Sequence, residues 1–345
     1  MNFRFLALVA LLCLVPLSGC GKTQSFSTAG VERSSSSRPD APSSTDETID
    51  PAEVDWGSFS STSLRNPNDG SLVGGVPLPL SARGLRFNPN RDLAARYGTV
   101  EVVRALVNAG RIVDEELGGL PVTINDLSYE RGGPMPHHGS HQNGRDVDVF
   151  FYQLGPDGKP LESVGAFFDQ SGLGVDFRQL ADPSDDVPLR LDVPRTWRFV
   201  QALIEDEAAN LQSIYLAEHL RLLLLEHARK RGAPEPTVAR FGEMTCQPEY
   251  PHDDHFHFRF YCSADDIEAG CRDSDPIYAW RKRALAEIGV ESLPLLPKRE
   301  RARTKTVGHE EARRAAGPLD PEVERWLERR KQWRARPHPG RRYCP

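Results

Sequence analysis

The sequence has no C-x-x-C pair among its six cysteines and no internal repeat. It also lacks a large excess of charge of either sign. Its one marked apolar run, Phe5 to Leu17, falls short of the roughly 20 residues that a membrane-spanning helix needs. Each absence excludes something. Without C-x-x-C spacing, a zinc site built from cysteines is disfavoured. A net charge of −6 with 27% charged residues gives no reason to expect nucleic acid as a partner. What remains is the composition of a soluble globular protein, 39% hydrophobic, long enough at 345 residues for one large domain or two smaller ones. Glycine and proline are plentiful at 28 each, so much of the chain is expected in loops.

The first residues read as a targeting segment outside the fold. Met1 to Arg4 supply a positive start, and Phe5 to Leu17 the apolar stretch. Leu17-Ser18-Gly19-Cys20 resembles the lipobox of bacterial lipoproteins. That resemblance implies a signal peptide over 1–19, acylation of Cys20 and a membrane anchor through it. A plain signal peptide or a membrane helix is the rival reading. Gly21 stands where an inner-membrane retention signal would place Asp, which favours the outer membrane and the periplasm. Cysteine usage fits export, since Cys246, Cys262, Cys271 and Cys344 form an even set. Cys262 and Cys271 bracket a short segment suited to a disulfide loop, which leaves Cys246 with Cys344.

Residues 20–73 read as a Ser/Pro-rich tether that cannot bury enough apolar surface to order itself. A domain is expected over 74–275. Thr99 to Ala109 has helical spacing, as do Pro194 to Ala208 and Leu216 to Arg231. Pro121 to Ile124, Asp146 to Tyr152 and His255 to Tyr261 read as strands. The mixed order predicts an α+β class. Residues 276–345 are basic and broken by prolines, and read as a solvated tail. Pro321 to Arg334 within it has the length for one amphipathic helix, and a basic envelope segment can also touch anionic polymers or lipid.

Six of the ten histidines fall in two windows: His137, His138 and His141, then His252, His255 and His257. Imidazole is a common zinc ligand and a general base near neutral pH. In the first window, Gly139 and Gly144 permit a tight loop before a strand that puts Asp146 and Asp148 on one face. Asp146 is either a hydrogen-bond partner of a ligand histidine or a solvated strand residue. In the second window Phe256, Phe258 and Phe260 alternate with His255, His257 and Arg259. Two imidazoles on one strand face sit about 7 Å apart, close enough for one to bind a metal and the other to face a substrate.

The two windows, His138-Gly-Ser-His141-Gln-Asn-Gly-Arg-Asp146-Val-Asp148 and His252-Asp-Asp-His255-Phe-His257 followed by Cys262 and Cys271, resemble the penicillin-insensitive murein endopeptidases. These sit in a wider group with lysostaphin-like and D-Ala-D-Ala metallopeptidases. The resemblance spans roughly 75–275. It implies a hedgehog/D-Ala-D-Ala peptidase-like fold, a small antiparallel sheet with flanking helices carrying one zinc site. It makes His141, Asp148 and His257 the ligands, His255 catalytic, and His252 and His138 further active-site residues. In some members the counterpart of His138 and an Asp-x-x-His serve a second metal. No histidine stands between Asp148 and His219 here, so one Zn2+ is expected. A cysteine of the family pattern is replaced by Ser71.

The implied reaction is hydrolysis of D-alanyl–meso-diaminopimelyl cross-links in peptidoglycan, with His255 managing a proton or an oxyanion and His252 a candidate donor to the leaving amine. Arg131 and Arg145 flank the metal loop, where either guanidinium could hold a substrate carboxylate. The competing readings are a carboxypeptidase that trims terminal D-Ala, a non-catalytic zinc-containing peptidoglycan-binding lipoprotein, and a metal scavenger. A mixed His/Asp set on a loop and a strand, rather than a His-rich tract, argues against the last.

Overall fold

The computed structural model describes residues 50, 53–136, 138–296, 309–335 and 344. The expected signal peptide, the anchor at Cys20 and His137 lie outside them. Among the described residues no helix is long and apolar enough to cross a membrane.

The chain is a mixed α+β protein. It opens with a hairpin of β1 (Thr62–Asn66) and β2 (Asp69–Val73), then short strands β3 (Val76–Pro77), β4 (Ser81–Ala82), β5 (Leu85–Phe87) and β6 (Tyr97–Gly98). Helix α1 (Val100–Leu117) buries Val102, Val103, Leu106, Val107 and Val113 and stops at Gly118, whose φ of 61° suits glycine. The strands β7 (Val122–Ile124) and β8 (Asp146–Phe150) follow. Next come β9 (Gln153–Leu154), β10 (Pro160–Leu161), β11 (Phe167–Phe168), β12 (Leu173–Asp176) and β13 (Val187–Leu191). Helix α2 (Val193–Glu205) starts at Asp192, whose side chain accepts from the Arg195 N–H, with Pro194 in the first turn. Then come β14 (Leu211–Tyr215), α3 (Glu218–Lys230), α4 (Glu235–Met244), β15 (Thr245–Cys246), β16 (His255–Phe260) and α5 (Ala264–Glu268). Helices α6 (Ala279–Glu287), α7 (His309–Ala316) and α8 (Pro321–Ala335) complete the described chain.

The principal sheet has seven strands in the order β15-β14-β16-β8-β7-β5-β4. It is mixed, where a small antiparallel sheet was expected. The parallel pairs are β5 with β7 and β14 with β15. In each pair a helical crossover returns the chain in the same direction, α1 in the first and α3–α4 in the second, as parallel pairing requires. Helix α2 covers the face that carries Phe258, its Phe199 ring 6.3 Å from that of Phe258. The side chains of Val147, Val149, Phe256 and Phe258 are buried in the main core. A second, antiparallel sheet has the order β10-β9-β13-β12-β11.

Both ends of the expected domain move. Residues 62–73, expected in the tether, form the β1–β2 hairpin and are tied to distant chain. The Ser63 N–H donates to Asp266, 2.7 Å, and its hydroxyl to the Asn143 carbonyl, 2.9 Å. Polar composition hides this because the hairpin is held by hydrogen bonds to distant partners rather than by apolar area. At the other end, α8 is packed and not merely solvated. Val323 and Trp326 are buried against Phe167, Phe177 and Leu180. Two disulfides, Cys262–Cys271 and Cys246–Cys344, match the expected pairing.

Arg145 is not available to a substrate. It is fully buried, donating to Asp273 at 2.9 Å, the Phe260 carbonyl at 2.7 Å and the Ser63 hydroxyl at 3.2 Å. The alternation that aims Asp146 and Asp148 at one face turns Arg145 to the other. There it ties the hairpin, β16 and the Cys262–Cys271 loop together. Replacing Arg145 by Leu leaves Asp273 buried without its cation and is expected to cost about 3–5 kcal/mol. Urea denaturation of the two proteins measures it, and an unchanged midpoint would contradict the structural role.

Candidate metal centre

The site is made where β8 meets β16. In their antiparallel register His257 lies opposite Asp148, Arg259 opposite Asp146 and His255 opposite Phe150. Directly opposed residues have Cβ atoms about 4.5–5.5 Å apart, so the pairing alone brings an imidazole to a carboxylate. His257 Nδ1 stands 3.1 Å from Asp148 Oδ1, and its Nε2 3.2 Å from Asp146 Oδ2.

The loop before β8 brings His141. Gly144 takes a φ of 77°, where a Cβ would meet the Leu72 side chain at 2.9 Å. His141 itself has a φ of 65° and His252 one of 51°. Left-handed backbone is uncommon for such residues and costs free energy that the surroundings must offset. His141 Nδ1 lies 2.7 Å from the Leu127 carbonyl, so that nitrogen carries the proton and donates. Nε2 is left as the free lone pair, 3.4 Å from Asp148 Oδ1.

The donor atoms converge in two triads that share His141: His138, His141 and Asp148, and His141, Asp146 and His257. The ligand set expected from sequence, His141, Asp148 and His257, is divided between them. The fit to a metal is tested by hydrogen bonding. Buried polar atoms are normally paired. His141 Nε2, Asp148 Oδ1 and His257 Nε2 are buried with no hydrogen-bond partner. Asp146 differs, because both its oxygens accept from Arg259, at 2.8 and 2.7 Å. It is buried and gripped by Arg259, with His257 Nε2 3.2 Å away but not hydrogen-bonded to it, so the solvated alternative does not apply. Two imidazoles and a carboxylate with unclaimed lone pairs match the donor chemistry of zinc.

The other histidines surround this set. His255 has Nδ1 3.0 Å from Asp254 Oδ1 and Nε2 3.7 Å from Asp148 Oδ1. The His252 ring lies 4.9 Å from that of His255 and 5.9 Å from that of His257. Its Nδ1 is 2.8 Å from the Tyr250 carbonyl. His138 bridges Asp126, at 3.1 Å, and Asp148, at 3.7 Å. Asp126 is further held by Arg91 and by the Asn125 amide. Arg131 is exposed beside the loop.

Electrostatics separate the roles. Burial, with the adjacent His255 and His257, pushes His252 down to about 3, so it is neutral at ordinary pH. Burial also works to lower His255, but the carboxylates of Asp254 and Asp148 outweigh it and raise the ring above its usual value. Burial tends to raise Asp148, yet His141 and His255 hold it well below the usual carboxylate range. Asp254 likewise stays below that range, held by His255 and Arg330 against burial.

Sequence reading missed Asp126, Asp253, Asp254 and the Leu127 carbonyl. Asp253 and Asp254 carried a signal, since they stand directly between His252 and His255. The Leu127 carbonyl carried none, because every residue has one. A cavity of about 440 Å³ adjoins the site, lined by Arg91, Asn125 and Phe150 together with Arg178, Glu162 and Asp176. It opens beside the metal-binding face, since Phe150 is the cross-strand partner of His255.

Residues 64–165 match the family model described as penicillin-insensitive murein endopeptidase. The chain is 25% identical over 228 residues to the penicillin-insensitive murein endopeptidase of Pectobacterium atrosepticum, covering 62% of this chain and 70% of that protein. It is 24% identical over 212 residues to the protein of the same description from Yersinia enterocolitica, covering 60% and 69%. With the two histidine windows brought together on β8 and β16, the chain shows a family-level match to the penicillin-insensitive murein endopeptidases.

Proposed function

We propose that this protein is a zinc-dependent endopeptidase that hydrolyses D-alanyl–meso-diaminopimelyl cross-links in peptidoglycan. The observation that carries the reading is that His141 Nε2, Asp148 Oδ1 and His257 Nε2 are buried without hydrogen-bond partners, in two candidate triads that share His141, with His255 Nε2 3.7 Å from Asp148. The family match supports the substrate class. In this reading the protein has the hedgehog/D-Ala-D-Ala peptidase-like fold and works in the periplasm, anchored at Cys20 to the outer membrane. A zinc ion held by His141, Asp148 and His257 supplies Lewis-acid chemistry towards an amide carbonyl and towards water. One ion per chain is the reading, because His141 has one free nitrogen and both candidate triads use it.

The chain's own residues do the rest. Asp146, gripped by Arg259, sets a fixed negative charge beside the His257 ring. Asp254 fixes the His255 tautomer by accepting from Nδ1, leaving Nε2 to exchange a proton on the metal side. Neutral His252 sits beside it with Nδ1 donating to the Tyr250 carbonyl, which leaves its Nε2 an acceptor for a substrate N–H; the proton that His255 takes up at Nε2 is the one returned to the leaving amine. The adjoining cavity offers both acidic and basic side chains to a polar peptide, and the exposed Arg131 is the remaining candidate for a substrate carboxylate.

Incubation with isolated sacculi, with and without a chelator, tests the reaction. Loss of cross-linked dimers without free D-Ala, abolished by the chelator, is expected. Free D-Ala alone would identify the trimming carboxypeptidase. No product from zinc-loaded protein would leave only the non-catalytic binding lipoprotein.

The division of roles has its own test in metal content. His257→Ala and Asp148→Ala are expected to lose bound zinc. His255→Ala should keep it while activity falls by about 10²–10⁴-fold, the usual worth of a general acid–base group. An empty site in His255→Ala would make His255 a ligand.

A further inference from the structure

The C-terminal helix reaches the candidate active site. Helix α8 is seated by Val323 and Trp326, and this delivers Arg330 over the Phe167 ring, 4.3 Å from its centroid. Arg330 Nε lies 2.8 Å from Asp253 Oδ1, and its Nη2 3.7 Å from Asp254 Oδ1. Both carboxylates are fully buried. Two adjacent like charges without water are costly unless a cation is held against them. Among the described residues, Arg330 is the one arginine or lysine in ion-pair contact with either. Asp254 in turn contacts His255. The Asp253 carbonyl accepts from the Phe168 N–H, so the β11 end that seats α8 also holds this turn.

We propose that Arg330 is a positioning residue for the reaction. It fixes the Asp253–Asp254 pair, so that Asp254 holds the His255 ring with Nε2 on the metal side. The inference rests on the endopeptidase reading above. It assigns work to a segment outside the 64–165 match, one that composition alone marks as a basic tail. Arginine suits the task because its planar fork can face two carboxylates at once, which a lysine ammonium does less well.

The test uses the full chain loaded with zinc and a soluble cross-linked muropeptide dimer as substrate. Arg330→Gln is expected to lower kcat on the order of 10–100-fold, the usual effect of removing a group that orients an active-site side chain. KM should stay within about twofold, because binding is not what the residue serves. Zinc content and the folded fraction should not change. Arg330→Lys should recover part of the loss. Arg329→Gln, on the same helix, should behave as the parent. Should Arg330→Gln not fold, Asp254→Asn carries the same expectation of lost kcat with zinc retained. Unchanged kcat in the variant tested, a loss that merely follows zinc or folded protein, or a lysine variant no better than glutamine would overturn the inference. An inactive parent protein would instead overturn the endopeptidase reading.

Discussion

The register between β8 and β16 is the constraint on which the site depends. It places Asp148 against His257 and Asp146 against Arg259. A slip of one residue would turn every one of these side chains to the opposite face of the sheet. The same slip would push Val147, Val149, Phe256 and Phe258 out of the core. Each large apolar side chain buried there is worth about 1.5–3 kcal/mol. The helices packed on the apolar face therefore enforce the geometry of the polar face from the opposite side of the sheet. Fold stability and donor placement are one property of this strand pair.

On that frame the protein spends conformational freedom selectively. Two of the four non-glycine residues with positive φ among those described are His141 and His252. Neither could be aimed as it is from ordinary extended or helical backbone. The strain is countered by hydrogen bonds that also set ring orientation, Leu127 for His141 and Tyr250 for His252. Asp146 and Arg259, joined by two hydrogen bonds, add a rigid buttress beside His257. The result is a set of imidazoles of which each has one nitrogen engaged and another directed at the cleft or at a neighbour.

Much of this was legible in the residues because it is periodic. Alternation at 146–149 and 255–260 gave two strands and their polar faces, and helical spacing located α1, α2 and α3. The mixed character of the sheet was not legible, because parallel pairing is a property of crossovers and not of a strand's own sequence. Arg145 was misread by charge although its position in the alternation already turned it away. The β1–β2 hairpin escaped because its ties to Asp266 and Asn143 are distant in sequence. Arg330 escaped for the same reason, and its neighbours Trp326 and Val323 have no meaning until Phe167 is placed beside them.

The Cys246–Cys344 disulfide has a topological consequence. It closes a covalent ring that contains β16, the Cys262–Cys271 loop and α8. A protease cut anywhere on that ring yields two pieces that stay linked. Such a nicked molecule keeps the strand bearing His255 and His257 attached to the helix bearing Arg330. The ring thus holds the two halves of the candidate site on one covalent frame even after the backbone between them is broken.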